Sequence, residues 1–254
     1  MDLARRHGSS LTGLAIVDVD YIQDSVVPIR LRVSPYGTRA AQRAVDEVEQ
    51  AARAAVREFR RICTAGDCRH ETLQVAGHPL NALLEQWRLH DLVVLSMRGF
   101  FESRFAREPQ NAIFRLLAGG VSPILTVADP VSEVRRALIA YHGTRDAAKA
   151  MKQFVQFRLW PELELHVVCL ERPQEEARRL LGEAAQYCGA HGFEVQTHFD
   201  PGPARHRLLP LATDLGADVI VLGSSPRSLI LRHILGDTLL TAIRSSDVPL
   251  FLSH

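Results

Sequence analysis

Apolar runs of strand length alternate along this chain with stretches in which apolar positions return every three or four residues. That alternation marks βαβ units on a parallel sheet, so the expected fold class is α/β, with open parallel sheets and helices on both faces. In the second half the pattern predicts a strand over Ala137–Tyr141, a helix over Asp146–Phe157, a strand over Leu163–Leu170 and a helix over Gln174–His191. The next unit begins at Phe193–His198. It continues through a helix around Ala204–Leu215, a strand over Asp218–Leu222, a long loop, a helix from Gly236 to about Arg244 and a strand over Pro249–Leu252. The first half supplies strands over Leu11–Val19, Thr72–Val75, Leu92–Leu95 and Ile124–Val127. Helices are expected near Arg39–Arg61, Leu80–Leu89 and Asn111–Leu117. Asp20–Thr38, with Pro28, Pro35 and Gly37, reads as a loop without a counterpart in the second half.

The two halves repeat one another. Asp91-Leu-Val-Val-Leu-Ser96 lies over Asp218-Val-Ile-Val-Leu-Gly223, 127 positions on, and Pro109 stands over Gly236 at the same offset. Both strands lead into an irregular stretch, a helix and a strand announced by Ser122-Pro123 or Val248-Pro249. Asp129-Pro130 breaks the preceding strand, so the expected domains are residues 1–129 and 134–254. A length of 254 residues suits two domains of ordinary size.

Composition narrows the function classes. With 46% hydrophobic and 23% charged residues the chain can bury a core. Its net charge of +1, without a basic block, offers no footprint for nucleic acid or an anionic membrane. Only Lys149 and Lys152 are lysine, so the lysine-bearing phosphate loop of P-loop NTPases cannot be written anywhere. No apolar run reaches the ~20 residues of a membrane helix, and Met1–Gly8 does not read as a signal peptide. Cys63, Cys68, Cys169 and Cys188 lack CxxC spacing, which points to a reducing compartment, the cytoplasm. Cys63, Cys68 and His70 form a loose cluster that lacks a fourth ligand, and no metal is expected. No GxSxG elbow or HExxH helix occurs, and catalysis is not expected. The charged stretch Asp46–Glu58 reads as a solvated helix face, and Trp87 and Trp160 as core residues.

Gly223-Ser-Ser-Pro226, then nine residues, then Gly236-Asp237-Thr238, resembles the signature loop of universal stress proteins: glycine, two residues, glycine, nine residues, glycine, serine or threonine. The strands before and after it match as well, and Ala140-Tyr141-His142-Gly143-Thr144 is similar to the family's aspartate-glycine-serine turn. The resemblance covers essentially the whole chain. It implies two flavodoxin-like, adenine-nucleotide α-hydrolase-like sheets, and a pocket for ATP or another adenine nucleotide with magnesium. The residues it carries over are His142, Gly143, Thr144, Val167, Gly223, Ser224, Arg227, Gly236, Asp237 and Thr238. In such a pocket the signature glycines bring backbone N–H groups to the phosphates beside a helix N-terminus.

Departures from the pattern bear on that pocket. Pro226 removes one N–H and fixes φ. Asp237, in place of serine, puts a carboxylate beside a phosphate, at a cost of ~1 kcal/mol in water and ~4 at an effective dielectric of 20. Asp237 or Thr238 is expected to cap its own helix instead. His142 stands where the family has an aspartate, with different hydrogen bonding. Arg227 and Arg232 flank the loop and could pair with an anion. In the first half Ser96, Pro109 and Gln110 replace signature residues and only Gly99 is kept, so no nucleotide is expected there. The chain opens inside the family's first helix, so the first copy lacks that family's first, central strand. Either the true start lies upstream or another segment, such as Asp20–Thr38, fills the place. The expected function is a non-catalytic stress-response or regulatory module. Family members pair through their last strand, so Ile124–Val127 and Leu250–Leu252 should meet and make the chain its own pseudo-dimer, with homo-oligomers possible beyond that. The alternatives are an ATP-binding switch with slow hydrolysis, or a sensor of another small ligand in the same cleft.

Overall fold

In the computed structural model the described residues are 1–19, 22, 35–96, 115–117, 119–127, 133–224 and 236–253. They divide into two compact units, Met1–Gln86 and Trp87–His254.

The first unit opens with α1 (Asp2–His7), which ends at Gly8 in the left-handed region. Strand β1 (Leu11–Val17) pairs in parallel with β2 (His70–Ala76), from Leu11 opposite His70 to Val17 opposite Ala76. Helix α2 (Pro35–Ala65) packs on both strands. Gly13 on β1 lies under the Phe59 ring of α2, where a Cβ would come within 2.8 Å of ring carbons. The helix begins at Pro35, a residue whose fixed φ suits a first helical position. Residues 35–38 are therefore helical rather than the end of a loop, and they supply no substitute strand; 20, 21 and 23–34 lie outside the described residues. Helix α3 (Pro79–Trp87) follows.

The second unit holds strands β3 (Val93–Leu95), β4 (Ile124–Thr126), β5 (Arg136–Ala140), β6 (Glu164–Leu170), β7 (Val195–Asp200), β8 (Val219–Gly223) and β9 (Leu250–Ser253). They form one sheet in the order β3-β4-β9-β8-β5-β6-β7, parallel throughout except between β4 and β9. The helices are α4 (Arg145–Phe157), α5 (Gln174–Ala190), α6 (Ala204–Asp214) and α7 (Gly236–Ser245). Strand order steps one way from β5 to β6 to β7 and the other way from β7 to β8 to β9. Right-handed crossovers then put α4 and α5 on one face and α6 and α7 on the other. Phe251, Val221, Ile139 and Val167 share a row by register, facing α4, where Phe154 meets Phe251 at 5.1 Å between ring centroids. Asp218 ties the sheet at its other end, its Oδ2 accepting from the backbone N–H of Arg135 at 2.8 Å and of Arg136 at 2.9 Å.

The α/β class and its parallel sheets are as the pattern predicts. The expected meeting of the two last strands occurs too: Ile124 lies opposite Leu252, and Leu125 opposite Phe251. Five strands of the second half follow the order β7-β6-β5-β8-β9. Strands β1 and β2 form a sheet of their own, apart from the one that holds β3 and β4.

Candidate functional site

In an open parallel sheet the crevice forms outside the carboxyl ends of the strands, where the strand order turns back. Here that point is between β5 and β8. Strand β5 runs into Tyr141-His142-Gly143-Thr144, where Gly143 has φ +79 and a Cβ would strike Leu180 of α5 at 2.7 Å. Thr144 is the N-cap of α4: its Oγ1 accepts from Ala147 N–H at 3.3 Å, the usual role of threonine at this position. His142 Nε2 lies 3.3 Å from the same hydroxyl. Arg172, just past the end of β6, donates from Nη2 to the His142 carbonyl at 3.2 Å and lies 3.5 Å from Glu176. Burial holds the His142 imidazole below its ordinary pKa, and the Arg172 cation adds to that, against Glu171 and Asp146. The ring is therefore neutral at pH 7 and offers one donor and one acceptor.

Across the crevice, Gly223 ends β8 against the first turn of α4. A Cβ there would lie 2.5 Å from the Asp146 carbonyl carbon and 2.6 Å from Ala147 N. The glycine thus admits a backbone-to-backbone approach, which any side chain would prevent. Ser224 is buried and turned inward: both its N–H, at 2.6 Å, and its hydroxyl, at 3.1 Å, bond the Ser253 carbonyl. Ser253 in turn donates from its hydroxyl to Gln153 of α4.

His142, Gly143, Thr144, Gly223 and Ser224 are thus brought together at the β5 and β8 ends. Val167 lies mid-strand in β6 with its side chain fully buried. Gly236 opens α7, and Thr238 is buried in its first turn. The Asp237 side chain and Pro226, Arg227 and Arg232 lie outside the described residues, as do Gly99, Pro109 and Gln110. Two contributors escaped the sequence reading: Arg172, and the Asp146–Ala147 backbone seated on Gly223. Arg172 could have been found by asking which residues follow each parallel strand.

A sequence model of the Universal stress protein family matches residues 169–254, the stretch from β6 to β9 that carries Gly223 and Gly236. A universal stress protein of Synechocystis sp. is 23% identical over 185 residues, which take in 70% of this chain and 64% of that relative. The crystal structure of a universal stress protein from Archaeoglobus fulgidus DSM 4304 matches with a TM-score of 0.68 at 19% identity, covering 96% of this chain and 95% of that one. Residues 169–254 thus carry the sequence pattern of the universal stress protein family, and the chain as a whole shares the fold of the Archaeoglobus protein. The fold likeness to the Archaeoglobus protein runs through both halves, whereas the family sequence pattern is confined to the second. That division agrees with the residues. Among universal stress protein signature positions, the second half retains Gly223 and Gly236 where the first has Ser96 and Pro109. No helix among the described residues is long and apolar enough to cross a membrane.

Proposed function

We propose that this chain is a universal stress protein that acts as a non-catalytic stress-response or regulatory module. Its second copy, residues 134–254, takes an adenine nucleotide such as ATP, with magnesium, weakly in the β5–β8 crevice. Its first copy, residues 1–129, takes none. The observation that carries this reading is the contact between Gly223 and the first turn of α4. The glycine that would bare its backbone to a phosphate is covered by the Asp146–Ala147 peptide, and the Ala147 N–H is occupied by Thr144 Oγ1. Two of the groups suited to an anion are thereby engaged within the protein, which leaves the segment from 225 to Gly236 to supply the remainder. The neutral His142 ring and the Arg172 guanidinium still line the strand ends and favour an uncharged hydrogen-bonding group beside an anionic one. The antiparallel β4–β9 pairing supports a pseudo-dimer assembled within one chain.

Calorimetry of the whole chain with ATP and magnesium tests the nucleotide claim. The expected result is binding weaker than micromolar that Gly236→Val abolishes. Micromolar binding lost in the same variant would establish the ATP switch instead. Silence up to millimolar nucleotide would reduce the function to assembly or to another small ligand.

A further inference from the structure

Helix α2 closes in a Schellman turn. Asp67 N–H bonds the Thr64 carbonyl at 3.2 Å, Cys68 N–H bonds the Cys63 carbonyl at 2.9 Å, and Asp67 has φ 51. In this turn the residues joined by the outer bond are those whose side chains meet in an apolar contact. Here both are cysteine. Cys63 and Cys68 are 1% and 7% exposed and form one buried cluster with Ala4, against which Leu11 and Phe59 pack. Both are free thiols, and Cys68 Sγ lies 3.6 Å from the Gly66 carbonyl.

We propose that Cys63 and Cys68 are a dithiol modification site that a hydroperoxide oxidises reversibly to a disulfide across the end of α2. A disulfide requires Cα atoms within about 4.4–6.8 Å of one another. With ordinary backbone bond lengths, the 2.9 Å contact between Cys68 N and Cys63 O keeps the two Cα atoms inside that limit. The backbone spacing at the helix end therefore meets the Cα condition for a bridge. In the first step the thiolate of one cysteine attacks a peroxide oxygen. The O–O bond breaks, a sulfenic acid forms, and the departing hydroxide takes the proton that the thiol released. In the second step the other thiolate attacks the sulfenic sulfur. The S–S bond forms, the S–O bond breaks, and hydroxide leaves as water with the second proton. The sulfurs lose two electrons in all and the peroxide gains them. Dithiol reductants reverse the change by exchange.

Access to the thiols is gated. Burial, and the neighbouring Cys68, hold the Cys63 thiol above its ordinary pKa, so the closed site reacts slowly. Thr64, Ala65 and Asp67 around it are exposed, and a helix end opens more readily than a core. Cys169 and Cys188 provide an internal reference. Both are fully buried in the second unit, and burial pushes the Cys188 thiol up to about 11.

The test is peptide mapping of the native full chain after hydrogen peroxide, alkylation and trypsin. Cleavage after Arg61 and Arg69 releases Ile62–Arg69, which carries both cysteines. We expect this peptide to lose two hydrogens and escape alkylation, to regain both on dithiothreitol, and to convert before the peptides of Cys169 and Cys188. In Cys68→Ser the hydrogen loss disappears and Cys63 gains oxygen instead. Addition of oxygen to wild-type Ile62–Arg69 without loss of hydrogen, cross-linking between chains, or earlier conversion of Cys169 or Cys188 would overturn the assignment. The wild-type map decides the matter even if the variant fails to fold.

Discussion

Gly223 and Gly182 are both glycines, and their surroundings give them opposite meanings. At 223 an added Cβ meets backbone at 2.5 Å, and no rotamer can move out of the way. Gly182, inside α5 and exposed, has nothing within 4 Å of the same added atom. Gly223→Ala should therefore destabilise the fold by ~1–3 kcal/mol through overpacking. Gly182→Ala should stabilise it by ~0.5–1 kcal/mol through helix propensity. Urea unfolding of the two variants measures both, and equal signs would refute the contact. The histidines supply a second residue-scale prediction. His166 Nδ1 lies 2.9 Å from His198 Nε2, with the rings stacked, while the buried His166 Nε2 has no hydrogen-bond partner among the described residues and lies 3.5 Å from Glu164. Burial, and then His166, lower the His198 pKa, and burial and Arg172 lower that of His142, both from an ordinary 6.5. In each case the unfolded chain binds the proton more tightly than the folded one. Their contribution to stability is thus complete above pH 6.5 and is lost as pH falls from there through the depressed folded values. Urea midpoints should drop between pH 7.5 and pH 5.5, and His198→Asn should flatten the drop.

At the scale of elements, the β4–β9 ladder is short, and a side chain extends it. Leu250 N–H donates to Thr126 Oγ1 at 2.7 Å, both residues being buried. Thr126→Val keeps the shape, leaves that N–H without its acceptor, and should cost ~1–3 kcal/mol in a denaturant melt. A neutral outcome would mean that another acceptor takes its place. The strands and helices themselves were largely readable in the sequence, because β5, β6, β8 and β9 are buried on both faces and so appear as unbroken apolar runs. The start of α2 was not, since Pro35 and Gly37 look like loop residues when their neighbours are ignored. The signature glycines marked the β8 end of the crevice, but their role there was not legible. Gly223 looks like a phosphate glycine by spacing, and only the position of α4 shows that it admits a peptide. Pairs such as His166 and His198 lie diagonally across two strands 32 residues apart, and no local pattern announces them.

For the whole molecule, the two units are built to different depths. Among the described residues the first has one parallel strand pair, mostly half-buried, whereas strands β5, β6, β8 and β9 of the second are buried almost end to end. A lone pair of strands has little independent stability without a helix over it, and here α2 is that helix. Native-state hydrogen exchange should accordingly release the amides of β1 and β2 well before those of β5 and β8, and uniform exchange in all four strands would contradict this. The antiparallel seam has a consequence of its own. Where separate subunits must find each other by diffusion before their last strands can zip together, β4 and β9 are tethered by a single polypeptide, and their encounter is a unimolecular event. Dilution therefore has no leverage on that joint.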